Sequence, residues 1–574
     1  MTGGHASPPP LTVARRIVRG EILRRGRAGS YHALAEVGGE PHIVRDDLLP
    51  GVAQRWRADG VRLRPLLCVA HVTDLQLADV QSPVRFEFLN RRYDDPRFAE
   101  LVPVQRPQEA FTPHAVLATI ETLNRITSGP VGGAPPALAV TTGDAIDNAQ
   151  WNELQAVLAL FDGGDVRVRS GGDRYQGVQS RSWPDRVFWR PDGLGPDGRP
   201  DLFRDRLAFP HLPGALERAL DGFRSPGLTL PWLACYGNHE ALVQGVGMIT
   251  PEVAAALVGG RKPTDLPADL DLDRALDTFI SGCQAFLGGA DRSIDPDPDR
   301  RPLSRREFVD AHRRVAPQGE ALPGPAGHGF TAENARLGTA YYVHDQPGVR
   351  FIGLDTTRAE GGAAGALDVD QLWWLQARLA EVHSRYRAPD GTTMVTGERD
   401  RLVVLFSHHG ADTLTNILDH PRDGVAPDLV GGQELVETLH RFPNVVLWLS
   451  GHTHTNRVRP RIDPHDPRRG FWEVTTCAIV DWPCQTRLVE LLDLGNGILA
   501  IACTMVDHDS PLGPGASLEG SALTSRQLAS LHRELAGNVP YAGAGTRLEG
   551  IATDRNVVLP LRAPFDLGRV PSAG

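Results

Sequence analysis

Five apolar runs in this chain each end in side chains of the kind that hold metal ions, and this repeated pattern constrains its fold more than any other feature. The run 66–72 leads to Asp74, 137–141 to Asp144, 230–236 to Asn238 and His239, 402–406 to His408, and 445–449 to His452 and His454. A continuously apolar run reads as a strand buried on both faces, and ligand sites in open α/β sheets lie just beyond the carboxyl ends of such strands. One Asp or Asn after a strand is ordinary turn chemistry. Five such endings point to one shared site. The histidine pair in Gly451-His452-Thr453-His454 fits this: inside a strand, residues at i and i+2 share one face in register, whereas a glycine turn just past the strand lets both lean toward one point.

Between the first two runs, Thr112-Pro113 reads as an N-cap and first-turn proline, opening a helix whose apolar face carries Val116, Leu117, Ile120, Leu123 and Ile126. Strand, helix, strand predicts a right-handed crossover and parallel neighbours. Leu372, Leu375, Leu379 and Val382 mark a second amphipathic helix. The later runs 472–475, 487–494 and 498–504 read as antiparallel strands, with Gly495-Asn496-Gly497 as a hairpin turn. Residues 1–62 are expected to form an N-terminal arm, 63–510 the main domain with insertions at about 163–227 and 245–335, and 511–574 a tail packing on that domain.

The charge balance narrows the function. Among 574 residues, 60 basic against 70 acidic side chains give a net charge of -10, so no global field draws the chain to nucleic acid or an anionic membrane. A small substrate is expected, with no nucleic-acid and no membrane partner. Cys68, Cys235, Cys283, Cys477, Cys484 and Cys503 are scattered without a CxxC pair and read as buried free thiols. Arg15-Arg16 is followed by charged residues rather than an apolar stretch, and no run of about 18 apolar residues occurs, so the expectation is a soluble, cytoplasmic protein.

The residue types at the five endings suit a pair of divalent ions. A carboxylate bridges two ions, while neutral imidazoles and amide oxygens fill outer positions without excess charge. Two ions about 3.5–4 Å apart hold a bridging water, lower its pKa and clamp the oxygens of an in-line displacement.

The blocks Asp74-Leu75-Gln76, Gly143-Asp144 through Asp147-Asn148, Gly237-Asn238-His239-Glu240, Ser407-His408-His409 and Gly451-His452-Thr453-His454 together resemble the ordered motifs of the calcineurin-like metallophosphoesterases. The resemblance spans about 66–505, insertions excluded, and the segment from Leu354-Asp355-Thr356 to Leu375 is similar to one found in bacterial members. It implies an α/β/β/α sandwich of two mixed sheets with long insertions. It also implies that Asp74 and His454 hold a first metal with Gln76 beside them, that Asp144 bridges, and that Asn238, His408 and His452 hold the second. His239 would assist the leaving group and Glu240 would orient its imidazole, while His409 would pack or hydrogen-bond behind the ligands.

The chain departs from the family at Gln76, where the first block carries a histidine. An amide oxygen is a harder donor than imidazole and suits manganese, magnesium or iron better than zinc. His71, Asp79 and Gln81 are nearby candidates to compensate. The resulting expectation is a dinuclear metallophosphoesterase acting on monoesters or diesters, with two divalent ions drawn from manganese, iron, magnesium or zinc, and a bridging hydroxide attacking phosphorus in line. The alternative is a metal-binding regulatory or scaffold module with weak or lost hydrolysis.

Overall fold

The computed structural model describes residues 10–52, 63–314, 326–417, 428–513, 519–541, 543, 545 and 547–573. Part of the expected second insertion and of the expected arm lies outside these residues. The first half contains β1 (Arg64–Val72), α1 (Thr112–Leu123), β2 (Leu138–Thr141), α2 (Trp151–Phe161) and β3 (Trp232–Leu233). The second half contains β4 (Tyr342–Gln346), β5 (Val349–Gly353), α3 (Val369–Ala380), β6 (Leu402–Phe406), α4 (Gly432–Leu439), β7 (Val445–Ser450), β8 (Arg457–Ile462), β9 (Gly470–Thr475), β10 (Gln485–Asp493), β11 (Ile498–Asp507), α5 (Ser525–Asn538) and β12 (Val557–Arg562).

Two mixed sheets form the protein. The first runs Ile43–Val44, β12, β11, β10, β1, β2, β3; the second runs β4, β5, β6, β7, β9, β8. β1, β2 and β3 are mutually parallel, as are β5, β6, β7 and β9. Side chains alternate across a strand, so the second sheet has two apolar faces. Val404, Phe406, Leu447 and Leu449 join Val69, Val72, Val140 and Leu488 in one core between the sheets. The opposite set, Val403, Leu405, Trp448 and Ile352, packs under Leu372, Leu375 and Leu379 of α3 and Leu435 and Leu439 of α4. The result is the α/β/β/α sandwich.

Several elements differ from expectation. The strand expected at 472–475 does not join β10 and β11: β9 belongs to the other sheet, parallel to β7 and antiparallel to β8. β8, Arg457-Val-Arg-Pro-Arg-Ile, is a charged edge strand, and edge strands are protected by such charges and by proline, which hides them from a search for apolar runs. Thr112 sits inside α1 and makes no capping hydrogen bond, because a preceding helical turn at Glu109–Phe111 runs directly into it. Both ends of the chain enter the first sheet, where β12 pairs antiparallel with β11 and parallel with Ile43–Val44. All six cysteines are buried and free. No helix among the described residues is long and apolar enough to cross a membrane.

The C-terminal segment is tied in by Arg487 on β10, fully buried. Its Nε donates to Thr476 Oγ1 (3.0 Å), Nη1 to the Arg555 carbonyl (3.0 Å), and Nη2 to Asn456 Oδ1 and the Asp554 carbonyl (both 2.9 Å). Replacing it by methionine keeps volume but strands these buried acceptors. Arg487→Met is expected to lower unfolding free energy by roughly 2–4 kcal/mol in urea denaturation; a loss under about 1 kcal/mol would contradict this role.

Candidate metal centre

The parallel strands of both sheets end on one edge of the sandwich, and the expected site residues come from the turns there. These turns are strained. Asp74 (φ 51°), Gln76 (41°), Asp144 (51°), His452 (69°) and His454 (53°) all take the left-handed conformation without being glycine. Each such residue costs about 1–3 kcal/mol and persists only where the surroundings fix it, which happens mostly at functional sites. Glycine is needed where backbones nearly touch: a Cβ on Gly451 would lie 2.4 Å from Asp74 Oδ2, and one on Gly237 would lie 2.2 Å from Asp144 Oδ1.

The side chains meet as follows. Ligand atoms of Asp74, Asp144 and His408 lie within 4.8 Å of one another. Asp144 Oδ2 is 3.1 Å from His408 Nε2, which lies 3.2 Å from His452 Nδ1. Asp74 Oδ1 is 3.4 Å from His454 Nε2. One end of the Gln76 amide faces both His239 Nε2 (3.2 Å) and His454 Nε2 (3.3 Å). Three rings are held from behind: Nδ1 of His408 donates to the Thr142 carbonyl (2.8 Å), of His454 to Asp481 Oδ2 (2.7 Å), and of His239 to the Asp147 carbonyl (2.6 Å). Each therefore turns Nε2 inward, the arrangement in which outer hydrogen bonds orient metal-binding imidazoles.

The field at this point is negative. Burial works against protonation of His408 and His454, yet Asp144 outweighs it at His408, raised to about 9, and Asp74 and Asp481 outweigh it at His454, raised to about 10. Burial with His408 beside it pushes His452 down to about 3. Burial would also raise the Asp74 and Asp481 carboxyls, but His454 holds the first, and Arg106 with His454 the second, below the usual range. A divalent cation among these atoms answers the same field. At this site two buried amide oxygens, Asn238 Oδ1 and Gln76 Oε1, have no hydrogen-bond partner among the described residues. Buried amide oxygens are almost always paired, so these two are placed for a ligand the side chains do not supply. Whichever way the Gln76 amide is turned, one of its ends remains to be satisfied. The donor set of carboxylates, imidazoles and amide oxygens fits divalent ions.

Other expectations are corrected. Glu240 does not orient His239. Its carboxylate accepts from the amides of Asp144 (2.9 Å), Ala145 (2.7 Å), Ile146 (3.3 Å) and Gly237 (2.7 Å), fastening the β2 turn to the β3 turn. Burial and neighbouring Asp144 raise its carboxyl to about 7. The His239 ring is held by the Asp147 carbonyl instead, because the turn at Asn238–Ala241 directs Glu240 inward. His409 lies close to His408 and His452, yet its Nδ1 meets Thr356 Oγ1 and its Nε2 the Ala363 carbonyl, both at 2.8 Å, leaving no nitrogen for a metal.

None of the residues near Gln76 compensates for it. His71 is bound between Thr142 and Thr476, Asp79 pairs with Arg300 (3.1 Å), and Gln81 Nε2 donates to the Ser170 carbonyl. Asp355 closes a strand end, paired with Arg305 (2.7 Å). Sequence reasoning overlooks Asp481, although it too follows an apolar run, 477–480. It also overlooks Arg106, whose Nε lies 2.9 Å from Asp481 Oδ1, and gives no role to Asp147, whose carboxylate accepts from Arg85 (3.1 Å) and Gln244 (2.9 Å).

Above the centre opens a cleft of about 310 Å³ lined by Gln76, Asp144, Asn238, His239, His452 and His454 at its floor. Two carboxylates, three imidazoles turned inward by outer hydrogen bonds, the His452 ring beside them and two unpaired amide oxygens under a small cleft define a polar centre suited to divalent ions.

No family model and no curated protein matches the sequence. Among solved structures, a dimetal phosphatase from Danio rerio is similar over 78% of this chain and 100% of its own, at 10% identity and a TM-score of 0.34. A purple acid phosphatase from yellow lupin (Lupinus luteus) seeds is similar over 83% of this chain and 54% of its own, at 10% identity and a TM-score of 0.26. At these scores neither likeness carries function to this chain.

The corrected place of Glu240 yields a measurable difference. Glu240→Ala removes the acceptor of four buried amides and is expected to cost roughly 3 kcal/mol of stability, read by chemical denaturation. A variant with unchanged stability would contradict the fastening role.

Proposed function

We propose that this chain is a metal-dependent hydrolase of phosphate esters. Asp74, Gln76 and His454 would hold one divalent ion, Asn238, His408 and His452 a second, with Asp144 between. The observation that carries this reading is the junction of Asp74, Asp144 and His408 within 4.8 Å beneath a cleft, with the oxygens of Asn238 and Gln76 buried and unpaired beside them. Bound divalent ions supply Lewis-acid polarisation of a phosphoryl group and a lowered pKa for water.

The chain's own residues do the rest. Two carboxylates stand at ion-pair range of the His239 ring, Asp144 Oδ2 3.8 Å from Nε2 and Asp147 Oδ1 3.9 Å from Nδ1, but the Asp147 carbonyl at 2.6 Å is what holds Nδ1, so Nε2 is the atom facing the cleft. A proton carried there passes to the leaving oxygen as the ester bond breaks. Asp147 is itself fixed by Arg85, a fully buried guanidinium, which keeps the carbonyl that holds His239 in place. Asp481 steadies His454 from behind. A cleft of about 310 Å³ and a net charge of -10 favour a small substrate over a nucleic acid.

One observation favours the second reading, a regulatory metal-binding module. Gln76 stands between His239 and His454 and engages both, which would weaken the first ion's site and tie up His239.

The deciding experiment is metal analysis of the purified chain followed by activity across manganese, iron, magnesium and zinc with monoester and diester substrates. Hydrolysis is expected, and His239→Ala should lower kcat by about 10²–10⁴ with bound metal unchanged. Asn238→Ala should lower bound metal as well as rate, and Gln76→His should shift preference toward zinc. Bound metal without turnover in any combination would favour the regulatory reading.

A further inference from the structure

The floor of the cleft is polar, but one of its walls is not. Leu101, Val102, Val104, Val246, Phe279 and Ala363 all line the cleft and belong to one hydrophobic cluster. They come from four separated stretches, including the helix Ala275–Gly282 in the expected second insertion. No side chain of this wall donates or accepts a hydrogen bond. A sugar phosphate or nucleotide pressed against it would leave hydroxyls unpaired, a mismatch that an apolar pocket penalises by about 10²-fold. A hydrocarbon would lose nothing.

The rest of the lining is equally selective. Apart from imidazoles, Arg106 is the one basic side chain among the described lining residues, alongside Glu100 and Asp481. Its Nε is buried against Asp481, while the side chain retains 12% exposure. With Nε 2.9 Å from the carboxylate that also holds His454 and Nη1 3.9 Å from Glu109 Oε1, the guanidinium sits beside the residues of the centre and lines the cleft. A guanidinium so held suits one phosphoryl group, since Arg pairs with phosphate oxygens through two parallel donors. A single such group does not suit a polyanion.

We propose that the cleft selects phosphate esters of apolar alcohols, with Arg106 on the phosphoryl group and the hydrocarbon against Leu101, Val102, Val246 and Phe279. This rests on the proposed hydrolysis for its reaction but not for its binding. In the reaction water adds hydroxyl to phosphorus, the phosphorus–oxygen ester bond breaks, and the alcohol leaves with the other proton.

The test compares hexyl and methyl phosphate, each as monoester and as symmetrical diester, with the metal-loaded enzyme, and measures hexylphosphonate and methylphosphonate binding by calorimetry. The hexyl compounds are expected to exceed the methyl ones by about tenfold or more in kcat/KM and in affinity. Val246→Ser should narrow that ratio at least about fivefold, and Arg106→Gln should weaken both phosphonates about equally, with Arg106→Lys recovering part of the loss. Hydrolysis without a hexyl preference would overturn the inference and leave the proposed hydrolase standing. Tight, hexyl-selective phosphonate binding without turnover would uphold the cleft's selectivity and sink the hydrolase reading. Phosphonate affinity unchanged in Arg106→Gln would overturn the role of Arg106.

Discussion

Two carboxylates buried side by side set the terms for everything around them. Asp74 and Asp144 are both nearly inaccessible to solvent, and their ligand atoms share a sphere with that of His408. A buried charge is costly unless paired, and two like charges multiply the problem. The neighbourhood answers with cationic or cation-seeking groups: His408 against Asp144, His454 against Asp74, and Arg106 behind Asp481. The same requirement explains the backbone. Five non-glycine residues take left-handed turns there, and these aim amide groups at carboxylates, as His452 N does at Asp74 and Asp144 N at Glu240 Oε2.

Glu240 supplies the mechanical counterpart. The β2 and β3 turns carry Asp144 and the Asn238-His239 pair, and four amides on one glutamate hold them in register. Its raised carboxyl reflects a position chosen for rigidity over solvation. A rigid floor of this kind is what preorganised electrostatics needs, because charges already fixed in place do not reorganise during a reaction.

The sequence made the floor legible because its strands are parallel, buried and therefore continuously apolar, so each Asp, Asn or His just past a run stood out. Less was legible where contacts are made by backbone atoms or by charged strands. Nothing in the letters distinguishes a glutamate that accepts four amides from one that steers an imidazole, and the Asp147 carbonyl that holds His239 belongs to no side chain. β8 escaped because an edge strand is built from arginines and a proline. The strands Ile43–Val44 and β12 lie far apart in the chain and pair only in three dimensions. Asp481 was the nearest miss, its apolar run being short and separated from the strand before it.

Gln76 connects these levels. A histidine there would place one more imidazole against His239 and His454. An amide avoids that crowding and offers a neutral oxygen or an NH₂ according to its partner. Its Nε2 faces the Nε2 atoms of His239 and His454, while its Oε1 is buried without a hydrogen-bond partner among the described residues.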